Sequence, residues 1–356
     1  MSDFDYANAR LRAMKSRLLS VETMMALSDQ SDLPTLLNAL TRTPYREAVE
    51  LAMIRYEGVR VLTQTLQVDM NGRIKKIQNF FTDKSAESVQ LVLLRYDVDN
   101  VKAILRGLSQ QLAADDILAA TISQGALDSA ALNELAQATN TRTAIDLLAT
   151  WRVPISTPLV ALRIEQPGAA LWQMEMALEQ WYFQEVTASQ SKAGTALKEY
   201  LNLYADSANI MTVLRLVGLE GRAAFFRERF GANDPLPLLL GPGRLPFGLL
   251  IEAVRAETVQ EVVAVLAPTL YGPILEPALV DYRSTGRLSS FERALHKMRL
   301  RQAVSFFVRD PHGIGVFLGY LLLNSNEVAN LLRIGQGIYL RRPKAEIQAD
   351  LLFADL

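Results

Sequence analysis

Cysteine is absent from the 356-residue chain, and histidine occurs only twice, as His296 and His312. Without cysteine the protein has no disulfide, no thiol nucleophile, no redox pair and no thiolate metal ligand. Two histidines are too few for a three-histidine metal site, and they offer a Ser-His-Asp triad only two candidate bases. The composition argues against metal and thiol chemistry, and we expect no cofactor.

A strong net charge is also lacking, because 37 Lys and Arg residues balance 38 Asp and Glu residues to give −1. A near-neutral chain has no overall positive field that would draw it to nucleic acid or anionic lipid. The longest clean apolar run, Ile314 to Leu323, is about half the length of a membrane span. The acidic N-terminus does not resemble a signal peptide. We expect a cytoplasmic protein with no nucleic-acid partner and no membrane span of its own.

At roughly 100–200 residues per domain, the length of 356 residues suggests two or three domains with a sizeable buried core, and 50% of the chain is hydrophobic. Apolar residues recur at helical spacing, whereas strand-type alternation is scarce, so the sequence predicts an all-α fold. Three segments show the pattern clearly: Ala48 to Leu66, Leu171 to Val186, and a helix that starts near Ser289 with Ser290 as a candidate N-cap.

Two patterns occur three times along the chain. The first consists of an acid, two residues, an asparagine and an aliphatic residue, and its polar members are Asp97, Asn100, Asp206, Asn209, Glu327 and Asn330. The second is a Leu- or Val-rich run that leads to Thr43, Thr150 and Thr269. The spacings of the two patterns agree within two residues, which predicts three homologous helical units over 1–118, 119–236 and 237–356.

The acid and the asparagine lie on one face of a helix because they are three residues apart. An acid near a helix start complements the helix dipole, and a mid-helix asparagine is unfavourable unless it meets a specific partner. We expect each asparagine to satisfy a buried backbone group in a neighbouring loop. Direct binding of a ligand by these residues is the alternative.

The last third carries a net charge of +2, against 0 and −3 in the first two thirds, and its basic residues gather in a run from Arg283 to Arg309 that contains the single acid Glu292. Five of them are candidate partner contacts: Arg283, Arg287, Arg293, Lys297 and Arg301. Arg293, Lys297 and Arg301 are four residues apart and share one helical face. A solvated surface without a partner is the alternative interpretation.

The repeats and two terminal motifs resemble the C subunit of the prokaryotic V/A-type (vacuolar/archaeal-type) rotary ATPases, the counterpart of the d subunit of the eukaryotic V-ATPase. The terminal motifs are Tyr6 to Arg12 and Arg309 to Gly315, the second followed by Tyr320, Glu327, Asn330 and Ile334, and Leu93 to Val101 is the first repeat marker. The sequence departs from that family's pattern at Leu332, Gln336 and Ile338, and in a Pro/Gly-rich loop over 236–247.

This resemblance implies three similar helical domains around a pseudo-threefold axis, in a funnel-shaped body without catalytic residues. It implies a position on the cytoplasmic face of the membrane rotor ring of proteolipid subunits, where the protein receives the end of the central stalk. Such a protein couples ATP hydrolysis or synthesis on other subunits to H⁺ or Na⁺ transport. A stand-alone helical repeat scaffold that binds another protein is the alternative, and an enzyme with a site in a helical bundle is the least supported class.

Overall fold

The computed structural model describes residues 4–189, 194–217, 236–241 and 243–354, together with positions 219, 221, 224 and 228. Over these ranges the regular structure is helical throughout and contains no strand, which confirms the predicted all-α class. In chain order the 18 α-helices of these ranges are α1 Asp5–Lys15, α2 Val21–Ser28, α3 Leu33–Leu40, α4 Arg46–Met53, α5 Val59–Gln78, α6 Asp83–Ser109, α7 Ala114–Leu118, α8 Ser129–Ala136, α9 Thr141–Thr150, α10 Ser156–Glu165, α11 Leu171–Ala188, α12 Gly194–Val217, α13 Phe247–Arg255, α14 Val259–Leu266, α15 Gly272–Thr285, α16 Ser289–Arg309, α17 Gly315–Tyr339 and α18 Lys344–Asp350.

Three successive groups of helices follow the same order, three short helices and then two long ones: α2–α6, α8–α12 and α13–α17. The second short helix of each group starts at a polar N-cap, and the three caps are Asp32, Asn140 and Thr258. Each cap accepts a hydrogen bond from the amide three residues further on, which satisfies a free donor at the helix start. The domain boundaries themselves remain a prediction.

The turn before the third short helix corrects the predicted register of the second pattern. Thr43 and Thr269 lie in this turn, and the hydroxyl of each accepts a hydrogen bond from the amide of Tyr45 or Tyr271. Thr150 instead ends α9, and its hydroxyl donates to the carbonyl of Asp146 within that helix. Val153 occupies the position equivalent to Thr43, because the backbone carbonyl of each residue accepts a hydrogen bond from the amide three residues later. The predicted equivalence of Thr150 was therefore wrong by three residues.

The single helix predicted from Ala48 to Leu66 is also wrong, because the structure divides it into α4 and α5. Helix α4 ends at Met53, and Gly58 precedes α5 with a φ of 60°. This backbone conformation suits glycine and interrupts a right-handed helix. The apolar spacing continued through the break because both helices turn an apolar face to the same core.

The other two predicted helices are confirmed as α11 and α16, which begins at Ser289. Ser290 is not its N-cap, because the residue in that position is Leu288. The Ser290 hydroxyl donates back to the carbonyl of Arg287 instead.

One hydrophobic core contains residues from both the first and the last helices of the chain. Buried residues of α2 to α5, such as Leu36 and Leu62, pack in this core with Leu331 and Ile334 of α17 and with Ile347 of α18. The first short helices therefore pack against the last long helix, which brings the beginning and the end of the described chain together.

Candidate functional site

The first acid–asparagine pair binds the segment between α7 and α8; we call this contact junction 1. Asn100 donates to the carbonyl of Ile122 and accepts from its amide, both at 2.8 Å. Asp97 accepts from the amides of Ala126 and Leu127 at 2.7 and 3.0 Å. Burial raises the pKa of Asp97, and these two amide hydrogen bonds oppose the rise.

Junction 2 repeats this geometry on the segment that precedes α13. Asn209 exchanges two hydrogen bonds with the backbone of Leu240. Asp206 accepts from the amides of Arg244 and Leu245, at 2.9 and 3.2 Å, and from the hydroxyl of Tyr271 at 2.7 Å. Burial raises the pKa of Asp206 despite these hydrogen bonds.

Junction 3 is built from both ends of the chain. Asn330 exchanges two hydrogen bonds with the backbone of Leu352, near the C-terminus. Glu327 accepts from the amide of Leu19, near the N-terminus, and from the Tyr45 hydroxyl at 2.7 Å. The guanidinium of Arg73 completes this cluster, 3.1 Å from the same carboxylate.

The three junctions differ in connectivity and agree in geometry. Leu127, Leu245 and Leu19 each lie two residues before the first short helix of a group. In junctions 1 and 2 one continuous segment supplies both partners, whereas in junction 3 the C-terminus supplies one and the N-terminus the other. Junction 3 therefore joins the third group to the first, through Glu327 and Asn330, which are both at least nine-tenths buried.

The position of the acids corrects one sequence expectation. Asp97, Asp206 and Glu327 lie inside the long helices α6, α12 and α17, well away from the helix starts. Their role is therefore unrelated to the helix dipole, and each carboxylate satisfies amides of a separate segment instead.

Two glycines make the close approach at junctions 1 and 2. A Cβ atom on Gly125 would lie 2.2 Å from the Asp97 carboxylate, and one on Gly243 would lie 2.0 Å from that of Asp206. Any larger residue would displace the acid, so these glycines are required by contact distance.

The five candidate basic contacts do not form one free surface. Arg283, Arg287, Lys297 and Arg301 are at least partly exposed. Arg293 is half-buried and donates to the carbonyl of Ala349 and to the carboxylate of Asp350. Arg293 thus already has partners inside the chain, and the contact role of the other four remains a prediction.

A cavity of about 760 Å³ lies between helices from all three groups; we call it the interhelical cavity. Its wall is formed by residues of α6, α11, α12, α16, α17 and α18, with Leu240 and Leu352 of junctions 2 and 3. Four ion pairs line this wall: Lys102–Glu179, Arg106–Glu175, Arg215–Glu292 and Arg293–Asp350. Each pair joins residues of two different helices, so ion pairs as well as packing hold the helices of the wall together.

Two further arginines on the cavity wall, Arg299 and Arg333, form no ion pair with a carboxylate in the part of the chain described. Burial lowers the pKa of both, because a charged group loses hydration there. The Nε atom of Arg299 is buried without a hydrogen-bond partner. The nearby Asp350 already pairs with Arg293 and Arg342, at 2.9 and 2.8 Å.

His296 links Arg299 to junction 3. The amide nitrogen of Asn326 donates to the carbonyl of Leu352, so its oxygen must accept from Nε2 of His296 at 2.9 Å. The other ring nitrogen, Nδ1, then accepts from Arg299 at 3.2 Å. Burial, together with Arg299, lowers the pKa of His296 to about 4, so the ring is neutral at pH 7. Sequence analysis did not anticipate this position for His296.

The described residues contain no group of three or more His, Cys, Asp or Glu side chains that could hold a metal ion. In the same ranges, no helix has the length and apolar composition needed to cross a membrane. His312, the other histidine, is largely exposed and pairs with Asp5.

Sequence reasoning missed the interhelical cavity because its walls come from helices far apart in the chain. Lys102 and Glu179, for example, are 77 residues apart, and no short-range spacing connects them. The only available signal was the surplus of basic residues in the last third, to which Arg299 and Arg333 belong.

Comparison with known proteins bears on the whole chain. A family model described as "ATP synthase (C/AC39) subunit" matches residues 7–349. The C subunit of the A-type ATP synthase of Methanosarcina acetivorans is 26% identical over 342 residues, which cover 94% of this chain and 89% of the relative. The C subunit of the V-type ATP synthase of Thermus thermophilus is 26% identical and covers 98% of both chains. Its counterpart from Deinococcus radiodurans is 23% identical, with 98% and 91% covered. The chain therefore belongs to the ATP synthase (C/AC39) subunit family, as a C subunit of the V/A type.

Proposed function

We propose that this protein is the non-catalytic central-rotor subunit that links the central stalk to the membrane rotor ring of proteolipid subunits. It would thereby couple ATP hydrolysis or synthesis on other subunits to H⁺ or Na⁺ transport, from the cytoplasmic side of the membrane. The observation that carries the proposal is the interhelical cavity, which residues from all three helix groups line. A cavity lined in this way can hold the end of a stalk and receive torque through all three helix groups.

Torque transfer also requires a body that resists shear. The three junctions bind successive helix groups to one another, and junction 3 binds the third group to the segment before the first. Four ion pairs connect the helices around the cavity wall. The recurrence of these contacts supports three domains about a pseudo-threefold axis in a funnel-shaped body. The cations Arg283, Arg287, Lys297 and Arg301 are proposed contacts for the stalk base or for polar loops of the ring.

Removal of this protein is expected to uncouple the two halves of the motor. Membranes that carry the complex without this chain should retain ATP hydrolysis by the head, while ATP-driven ion transport falls to background, because nothing links stalk and ring. Ion uptake into vesicles and phosphate release, measured on the same preparation, check this result. Adding the purified chain back should restore transport.

Two outcomes would contradict the proposal. Unchanged ion transport without the chain would remove it from the coupling path. Failure of the wild-type chain to co-purify with either stalk or ring in mild detergent would favour the stand-alone scaffold.

One exposed aliphatic side chain recurs in all three groups, in the region of the third short helix. In each group this residue lies nine positions after the last turn residue before the third short helix, which is Tyr45, Ile155 or Tyr271. The three aliphatic residues are Ile54, Ile164 and Val280, whose side chains are 77%, 75% and 64% exposed. Around a pseudo-threefold axis these positions would share one level, and a ring of identical subunits offers the same contact repeatedly. We infer that they face the rotor ring.

Serine substitutions of these three residues are expected to weaken binding to the ring by about tenfold each, since each removes burial of an aliphatic side chain. The free chain should keep its stability, because exposed substitutions change it little. Val308→Ser is the matched control, because Val308 is 80% exposed on α16 and has no such equivalents. Co-purification of ring and chain measures the effect, and equal losses for Val308→Ser would refute the assignment.

A further inference from the structure

Arg299 and Arg333 are the two cations on the wall of the interhelical cavity that form no ion pair with the described residues. Every other Lys or Arg among the described residues of the cavity wall has a carboxylate partner there, and all four wall carboxylates are already paired. Arg299 donates to a neutral histidine, and Arg333 donates to the side-chain oxygen of Asn330. Both side chains are partly buried, and the lowered pKa of each shows that the loss of hydration is not fully offset, with the deeper burial at Arg299.

The rest of the wall suits a polypeptide better than a small ion. The cavity volume is about 760 Å³, whereas one water molecule occupies roughly 30 Å³. A single inorganic anion is much closer in size to the water molecule than to the cavity. Apolar side chains also line it, among them Trp172, Met176, Met211 and Leu295. An apolar wall with two unmatched guanidinium groups fits the end of a helix that carries at least one acidic residue.

We propose that Arg299 and Arg333 bind the carboxylate of an acidic side chain on the stalk polypeptide that enters the interhelical cavity. The inference rests on the proposed function and specifies the chemistry of its stalk contact. An arginine fork matches a carboxylate through two parallel hydrogen bonds, and both guanidinium groups belong to side chains on the cavity wall.

The same contact would reach junction 3. Arg299 bonds to His296, which bonds to Asn326, which holds the carbonyl of Leu352. A carboxylate that fixes Arg299 therefore also fixes the chain of hydrogen bonds that ends at the closure of the C-terminus. Stalk binding and closure of the body are thus connected by one row of side chains.

Replacement of each arginine by methionine separates this role from a structural one. Arg299→Met and Arg333→Met should each weaken binding of the full chain to the stalk-bearing head by about tenfold or more, since each removes one partner of a buried charge pair. The melting temperature of the free chain should stay equal to that of the wild type or rise, because an unmatched buried cation is removed. A purely structural arginine would lower it. Arg142→Met, an exposed arginine on α9, is the matched control and should change neither quantity.

The outcomes distinguish this inference from the proposed function. If the wild-type chain does not bind the head, the proposed function fails. If the wild type binds and both variants bind equally well, only the carboxylate contact fails. Inorganic phosphate, titrated into the free chain, should leave the melting temperature unchanged. An Arg299-dependent rise with phosphate, together with normal head binding by Arg299→Met, would identify a small-anion site and overturn the proposal.

Discussion

Glu327→Ala is expected to lower the free energy of unfolding by about 3–5 kcal/mol, the usual effect of breaking a buried ion pair. The substitution removes the acceptor for the Leu19 amide and for the Tyr45 hydroxyl, and it removes one of the two carboxylates paired with Arg73. These groups stay buried and lose hydrogen bonds, which is the costly case. Urea unfolding of the full chain, followed by circular dichroism, measures the loss.

The same variant should loosen the N-terminus before the rest of the chain unfolds. Leu19 lies just before α2, and Glu327 is its link to the other end of the protein. Limited proteolysis under native conditions should therefore cut near residues 16–20 earlier than in the wild type. Glu50→Ala is the control, because Glu50 forms an exposed pair with Arg46 and should cost less than about 1 kcal/mol. Equal unfolding curves for wild type and Glu327→Ala would refute the closure role of junction 3.

The repeat could be found in the sequence because its markers are strict in type and spacing. Asn100, Asn209 and Asn330 are buried in long helices, where asparagine needs a specific partner, so their recurrence carried structural information. The partners could not be derived in the same way. Ile122, Leu240 and Leu352 lie 22, 31 and 22 residues beyond their asparagines, and Leu19, which donates to Glu327, lies near the opposite end of the chain.

Predictions from local sequence were wrong where contacts between distant segments determine the structure. A helix-dipole role was reasonable for an acid beside a helical pattern, but Asp97 lies mid-helix and binds amides of another segment. The periodicity from Ala48 to Leu66 concealed a break, since both sides of Gly58 face the same core. The pairing of Arg293 with Asp350 required the fold, because 57 residues separate them.

A second large effect is expected at Glu179, on the wall of the interhelical cavity. Its carboxylate accepts from Arg95 and Lys102, and from the hydroxyl of Tyr204 at 2.9 Å. Burial alone would raise the pKa of Glu179, but the hydrogen bonds and charges of Arg95 and Lys102 outweigh it and lower the pKa to about 2. Glu179→Gln should therefore destabilise the protein at pH 7 by about 3 kcal/mol, since one pKa unit corresponds to about 1.4 kcal/mol.

The pH dependence gives this prediction its sign. The folded pKa of about 2 lies below the ordinary pKa of 4.5, so the carboxylate stabilises the protein fully above pH 4.5 and progressively less as the pH falls towards 2. The difference in unfolding free energy between wild type and Glu179→Gln should shrink by about 3 kcal/mol across that window. Glu175→Gln is the control on the same helix, because its partner Arg106 is half exposed and the pair should contribute less than about 1 kcal/mol. A difference between wild type and Glu179→Gln that stays constant from pH 5 to pH 2 would show that the Arg95–Lys102 cluster does not hold the charge of Glu179. The contact between α6 and α11 would then be stabilised by packing alone and not by the charge of Glu179.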